Sequence, residues 1–401
     1  MKKSIVVLYG GRSGEHEVSL VSAASVARNL DPAKYEVRLI GIAKDGAWYL
    51  QDDAEMERCR AGATELNLAV KAERRVAVFP GGGSESALAL TLNPATVKAG
   101  FVRGAAVNVA STGPVYLRSD AVFPVLHGTF GEDGTVQGLL EMAGLAYVGA
   151  GVLGSAVGMD KDKAKALWVH AGLPVVPWIC VRPLEWASRD KRLAIIEKAE
   201  RDFRYPLFVK PSCAGSSVGA SKATDRQALE NAVPLAFEWD DKILIEPFVA
   251  AREIECSVTG NERPDAYTPG EVAPTHEFYD YEAKYVDPNG AALLIPADMD
   301  ENGLRTVREI AVKAYRTAEL TGLARVDFFV RKDTGEILLN EVNTMPGFTT
   351  ISMFPKMCEA SGLAYAPLLD RLIELAEERQ KARSGRDYSR KPTSAPNTEK
   401  V

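Results

Sequence analysis

Cysteine is sparse in this 401-residue chain, and its spacing is uninformative for metals. Cys59, Cys180, Cys213, Cys256 and Cys358 are scattered, with no CxxC pair. That excludes a disulfide framework and a zinc site, and fits a reducing compartment. Excess positive charge is lacking too: the formal net charge is -6, which argues against a nucleic-acid partner. No stretch approaches the ~20 apolar residues of a membrane span. The opening MKKSIVVLYGG carries only a short apolar run before its glycines, and reads as a first strand, not a signal peptide. What is present is ordinary for a soluble globular protein, 46% apolar and 25% charged. The length exceeds one typical core and predicts two or three domains.

Taken in order, residues 4–9 form a buried-strand run, followed by Gly10-Gly11-Arg12-Ser13-Gly14 and a helical pattern over 15–30. Strand, glycine loop and helix N-terminus together suit a small-ligand site of Rossmann type, although the spacing is GGxxG, not GxGxxG. Glu15 stands where the helix dipole favours an anion. Residues 35–42 read as a second strand. Residues 51–118 are expected to form short strands inserted in the first domain, with Gly81-Gly82-Gly83 as a plain turn, since no Lys-Ser/Thr follows it. A strand over 121–128 ends at His127-Gly128, and a helix surrounds Val136–Met142. Alone, His127 reads as a structural histidine.

A helix is expected over 160–171, with Pro174 and Pro177 in a linker, and another over 190–202. In YPLFVKPSCAGSSVGASKA (205–223) a strand runs through Lys210, a small-residue loop follows, and a strand resumes near Val218. Without a following helix the loop is not a Walker A motif, but it suits an anion nest of backbone N–H groups. Lys210 ends an otherwise apolar strand and is expected to meet a ligand. After a helix over 226–238, residues 242–258 read as two strands, with Glu246 and Glu253 at their ends and Phe248 between, a pattern suited to a nucleotide base. Phe248 fits core packing equally well. The Tyr-rich, aperiodic segment 276–299 is expected to be a lid loop carrying Lys284 and Tyr285. Helices over 300–321 and 364–382 follow, and the polar tail from Ala382 is expected to be disordered.

Between the last two helices, Lys332-Asp333-Thr334-Gly335-Glu336 has turn composition between two apolar runs and predicts a β-hairpin. A tip near Thr334 sets Asp327 opposite Glu341 and Arg325 opposite Asn343, all on one face. Opposed carboxylates repel. A hard divalent cation reverses that sign, and two carboxylates with an amide oxygen form an all-oxygen set suited to Mg²⁺.

Five blocks, GGRSGEHEVSLVSA (10–23), HGTFGEDGTVQG (127–138), VKPSCAGSSVG (209–219), FYDYEAKY (278–285) and RVDFFV with NEVNTMPGFTTIS (325–352), resemble the D-alanine–D-alanine ligases of the ATP-grasp superfamily. They follow the family's order across nearly the whole chain. The resemblance implies an α/β ATP-grasp protein of three domains: a Rossmann-like N-terminal domain over 1–158, a central subdomain over 159–244 with the Gly/Ser loop 211–219, and a C-terminal domain over 245–381 with the metal hairpin and a lid over 270–297. It implies ATP-dependent formation of D-alanyl-D-alanine through an acyl phosphate, for peptidoglycan precursors in a bacterial cytoplasm, by a homodimer. ATP would lie against Lys161, Lys210, Ser217, Glu246, Phe248, Val249, Glu253 and Lys284. Two Mg²⁺ or Mn²⁺ ions would be held by Asp327, Glu341 and Asn343. Glu15 would bind the first D-alanine's ammonium, with Ser216 and Tyr285 hydrogen-bonded to it and His127 and Glu132 bordering the site. Arg325 and the Gly347 N–H would hold the oxyanion, and Ser352 the second D-alanine's carboxylate. Cys213-Ala214 replaces charged residues of some members, which leaves backbone groups for phosphate contacts there. The D-alanine–D-lactate ligases resemble this chain but lack EAKY, so Tyr285 implies an amine nucleophile. Other readings are a different carboxylate–amine ligase, a silent ATP-binding module and a Rossmann dehydrogenase.

Overall fold

The computed structural model describes residues 1–90, 101–102, 105–106, 114–215, 218–274, 291–349 and 351–387. The first sheet has seven strands, in the order Val115–Leu117, Leu88–Leu90, Arg75–Val78, Trp48–Leu50, Tyr35–Ile42, Lys3–Gly10, Ala121–Val125. Lys3–Gly10 pairs in parallel with both neighbours, Ile5 facing Val37 and Ala121. A parallel strand is covered on both faces, which is why 4–9 reads as an unbroken apolar run. The remaining four strands extend the sheet antiparallel. Part of the 51–118 stretch therefore widens the first sheet, and it also carries a helix, Asp53–Arg60, beyond the short strands expected.

A four-stranded antiparallel sheet, Ile179–Val181, Ile243–Pro247, Leu207–Pro211, Ser221–Ala223, is covered by helices Arg189–Asp202 and Arg226–Phe237. A six-stranded sheet holds Ala291–Leu294, Gly270–Pro274, Ala251–Gly260, Gly322–Arg331 and Ile337–Asn343, with Asp265–Ala266 paired beside Ala251–Gly260. The chain passes from the second sheet to the third in three residues, 248–250. The last helix, Tyr365–Ser384, returns to the first sheet, where Leu368, Leu372 and Ile373 join the core of Val7 and Phe123.

Several local expectations shift. The strand after the Gly/Ser loop begins at Ser221, not Val218, because Gly219 takes φ +72 against Trp239. Helix Glu301–Thr317 stops short of 321, where Glu319 turns left-handed at φ +54. A helix over Val152–Met159 was not expected; its glycines mask the pattern. They are there for close packing: a Cβ on Gly158 would lie 2.5 Å from the Thr344 methyl. The 270–297 segment begins and ends as paired strands, Glu271 opposite Leu294. Its centre, 275–290 with Lys284 and Tyr285, lies outside the described residues, as do Ser216, Ser217 and the tail from 388. The last helix continues through Ala382 to Ser384. Strand Ala121–Val125 ends two residues before His127.

Candidate active site

Glu15 directly precedes helix His16–Asn29. Its N–H donates to Ser13 Oγ at 3.1 Å, and Ser13 Oγ donates to the His127 carbonyl at 2.7 Å, so the glycine loop is tied to the end of a neighbouring strand. A Cβ on Gly128 would lie 2.8 Å from Glu15 Oε2, and one on Gly215 3.1 Å from it. Glycine at both positions leaves room for the Glu15 carboxylate, with Gly128 also at φ +74, and the Gly/Ser loop comes against the first sheet's acid. Both His127 ring nitrogens are engaged, Nδ1 at 3.0 Å from the Met345 carbonyl and Nε2 at 3.1 Å from Ser22 Oγ. Burial lowers the His127 pKa, against the pull of Glu15. Burial raises that of Glu132 well above the carboxylate range, and Glu15 adds to it while Lys161 and Arg325 oppose it. Glu15, Glu132, Lys161 and Arg325 thus share one electrostatic neighbourhood.

Lys161 starts the helix Lys161–His170, capped by Asp160, which accepts from Lys163 N. The Lys161 ammonium donates to the Ala214 carbonyl at 2.8 Å and lies 3.2 Å from Glu341 Oε2. One side chain therefore joins the Gly/Ser loop to the hairpin. The loop's base is fixed by Ser212 Oγ on Asp160 at 2.9 Å and by Cys213 N on Asp240 at 2.7 Å.

The hairpin pairs Arg325 with Asn343 and Asp327 with Glu341, as the turn composition predicts. Nearer the tip the register slips by one, so that Phe328 meets Leu339 and Asn340 is the extra residue of a bulge. Asn340 Oδ1 accepts from Lys210 at 3.1 Å. Glu255, on the strand at the other side, faces Asp327 directly. Three carboxylates, Glu255, Asp327 and Glu341, therefore form a row across three strands, and Glu255 was not anticipated. Arg325 binds Asp327 through both oxygens, at 2.7 and 2.6 Å, with Nε also 3.2 Å from Glu255. Asn343 Oδ1 accepts from Met345 N at 3.0 Å. Among the described residues no three His, Cys, Asp or Glu gather closely enough to hold an ion unaided. Asp327, Glu341 and Asn343 nevertheless fit a hard cation chemically, being oxygen donors on one face whose opposed charges otherwise repel.

Lys210 Nζ lies 2.8 Å from Glu246 Oε2. The other Glu246 oxygen is 2.5 Å from Lys165, a fully buried lysine that no motif in the sequence marks. Glu246 stays ionised, its pKa lowered by the two ammoniums against burial. Phe248 is partly exposed, with the Lys222 ammonium 4.3 Å from its ring centre, and its N–H donates to the Pro206 carbonyl at 3.0 Å. Val249 follows it in the connection between the sheets, and Glu253 lies two residues before Glu255, on the same strand face. Ser352 directly precedes helix Met353–Ala360 without a capping hydrogen bond from its side chain, and a Cβ on Gly347 would sit 2.8 Å from its hydroxyl. The Ser352 hydroxyl accepts from Thr349 N at 3.0 Å. A separate cavity of about 260 Å³ lies beside the glycine loop of the first sheet, lined by Gly11, Arg12, Trp48, His127 and Phe130.

Residues 4–150 match the model of the D-ala D-ala ligase N-terminus, and 167–374 that of the D-ala D-ala ligase C-terminus. The D-alanine–D-alanine ligase of Treponema denticola is 52% identical over 94% of this chain and 97% of its own length. That of Acetivibrio thermocellus is 45% identical, over 94% and 96%. Among solved structures, the D-alanine–D-alanine ligase of Coxiella burnetii superposes with TM-score 0.77 at 36% identity, covering 96% of each chain. A D-Ala:D-Ser ligase from Enterococcus faecalis gives 0.74 at 33%, covering 94% of this chain and all (100%) of that one.

Proposed function

The chain belongs to the D-alanine–D-alanine ligase family of ATP-grasp enzymes, and from that premise we infer how it joins two D-alanines to D-alanyl-D-alanine. The reaction uses ATP and serves peptidoglycan synthesis. The observation that supports the residue assignments most strongly is the gathering of Glu15, Glu132, Lys161 and Arg325 where the Gly/Ser loop meets the hairpin.

In this reading Glu15 holds the first D-alanine's ammonium beside His127 and Glu132, with Ser216 and Tyr285 completing its surround. The carboxylate of that D-alanine attacks the γ-phosphorus of ATP, the bond to the β-phosphate breaks with ADP as leaving group, and an acyl phosphate forms. Two anions must approach, so the barrier falls as Lys161, Lys210 and Arg325 neutralise the phosphates, and positioning supplies most of the rest. Asp327, Glu341 and Asn343 would hold Mg²⁺ or Mn²⁺, two ions, which when bound supply further neutralisation of the phosphates. The base and ribose lie near Glu246, Phe248, Val249 and Glu253, with Ser217 and Lys284 closing on the nucleotide. The neutral amine of the second D-alanine, whose carboxylate rests on Ser352, attacks the acyl carbon; the tetrahedral adduct expels inorganic phosphate, and the amine's proton leaves with phosphate or solvent. Arg325 and the Gly347 N–H stabilise the oxyanion, each such donor worth about 10²–10³ in rate. The lid keeps water from the acyl phosphate.

Among the described residues no helix is long and apolar enough to cross a membrane. With ATP as substrate we place the enzyme in the cytoplasm, as a homodimer, with no nucleic-acid partner. The test is phosphate release from Mg-ATP with D-alanine, L-alanine, D-alanine plus D-lactate, and D-alanine plus D-serine, with products identified by mass. D-Alanyl-D-alanine as the main product is expected. A protein that binds ATP yet makes no dipeptide from D-alanine would refute the assignment.

A further inference from the structure

Lys165 lies on the helix Lys161–His170 one turn after Lys161, with its side chain at 0% exposure. Its ammonium donates to the Val176 carbonyl at 3.0 Å and stands 2.5 Å from Glu246 Oε1. Lys210 takes the other oxygen of the same carboxylate, at 2.8 Å, and reaches the bulge residue Asn340 at 3.1 Å. One buried carboxylate is thus shared between two ammoniums from different elements, one on each oxygen. These three side chains carry one positive charge more than negative, in a setting where an unbalanced charge is poorly solvated. Such a cluster favours the arrival of an anion.

We propose that Lys165 is a positioning residue for nucleotide binding, which holds Glu246 from behind and so leaves Lys210 able to turn to the nucleotide's phosphates. The inference rests on the assignment of Lys210 to ATP. If Lys165 were uncharged, Lys210 would be the one cation in direct contact with Glu246 among the described residues, and the two would form a neutral, buried pair. Moving Lys210 toward a phosphate would then strand a buried carboxylate, which is strongly unfavourable. With Lys165 in place the carboxylate keeps a partner whichever way Lys210 points. Burial presses the Lys165 pKa down to about 8; Glu246 resists that shift and the Lys210 charge adds to it, as competition of two cations for one anion requires. Trp178 closes the remaining side, its ring centre 5.9 Å from the ammonium.

The experiment measures binding of ATP and of adenosine by calorimetry to the full-length chain, alongside KM for ATP and kcat. The variants are K165M, K165Q (which keeps a donor for the Val176 carbonyl), the charge-balanced double variant K165Q/E246Q, and K210M. Loss of the Lys165 charge is expected to weaken ATP by about tenfold while adenosine changes by less than about twofold, and to raise KM for ATP more than it lowers kcat. In the double variant Lys210 is no longer captured, so the ratio of ATP to adenosine affinity returns toward wild type. A merely structural Lys165 would lower both affinities together and leave that ratio alone in every Lys165 variant, which would overturn the proposal. An unchanged ratio in K210M would instead remove the assignment of Lys210 on which it stands; a reduced ratio in K210M with none in K165M or K165Q would reject the role of Lys165 alone.

Discussion

The cluster around Glu246 and the cluster around Asp327 use the same residue types in opposite proportions. The first sets one acid between two lysines at 3% exposure for the acid and 0% and 11% for the bases. The second sets three acids in a cross-strand row, with Arg325 and Lys161 among them, and Glu341 is 32% exposed. One cluster has positive charge to spare and the other negative. That is the arrangement expected where polyphosphate and a divalent cation meet. The comparison also separates a desolvated network, whose carboxylate must always keep a cation, from a partly exposed one. The Glu246 ion pairs are desolvated, so losing one member leaves buried charges without a counterion. The Asp327 row is strained by like charges, so its Arg325 and Lys161 contacts can yield to ligands.

Matched substitutions in the two clusters would sharpen this contrast. E246Q is expected to cost about 3–5 kcal/mol of folding stability, because two buried ammoniums lose their carboxylate. Denaturant unfolding measures it, and a loss below about 1 kcal/mol would break the contrast. D327N is expected to fold normally and to lower kcat by about 10²–10³, with Mn²⁺ binding by electron paramagnetic resonance lost in parallel. E341Q should cost only about 1 kcal/mol of stability, since it exchanges a charged hydrogen bond to Lys161 for a neutral one.

A smaller effect concerns pH. Burial raises the pKa of Glu132, so the folded state favours its protonated form. The stability this brings is complete below the unfolded value of ~4.3 and is lost as pH rises through the folded value. E132Q imitates the protonated form, so urea unfolding should show it gaining on wild type between pH 5 and pH 8. An unchanged difference would place the ionised acid in both states. The subtlest change expected is in Y285F, where D-lactate should compete with D-alanine as second substrate at neutral pH; exclusive dipeptide formation would remove that role from Tyr285.

Much of the hairpin was legible because turn chemistry is local. The composition of 332–336 places the tip, and alternation then sets Asp327 against Glu341. The bulge at Asn340 was not legible: the pairs next to the turn, Val330 with Ile337 and Phe328 with Leu339, would continue to Asp327 with Asn340, and the extra residue moves Asp327 to Glu341. His127 alone suggested a structural histidine, and its two hydrogen bonds agree with that; its place beside Glu15 depends on loops meeting from distant parts of the chain. Lys165 carried no signal of its own in the sequence, being one of three lysines in the lysine-rich opening of its helix. One signal was available: Trp168, three residues on, marks the buried side of that helix.

By itself, the sequence determined most of the strand and helix order, the place of the hairpin's turn and the family, all of which rest on short-range pattern or on motifs kept in order. Only the tertiary structure decided that Glu255 joins Asp327 and Glu341 in one row, that the last helix covers the first sheet, and that Glu246 is shared by Lys165 and Lys210. The reason is physical. Periodicity reports which face of an element is buried, but the partner across that face is chosen by packing between segments far apart in the chain. Whether a charge is solvated, paired or stranded is settled there.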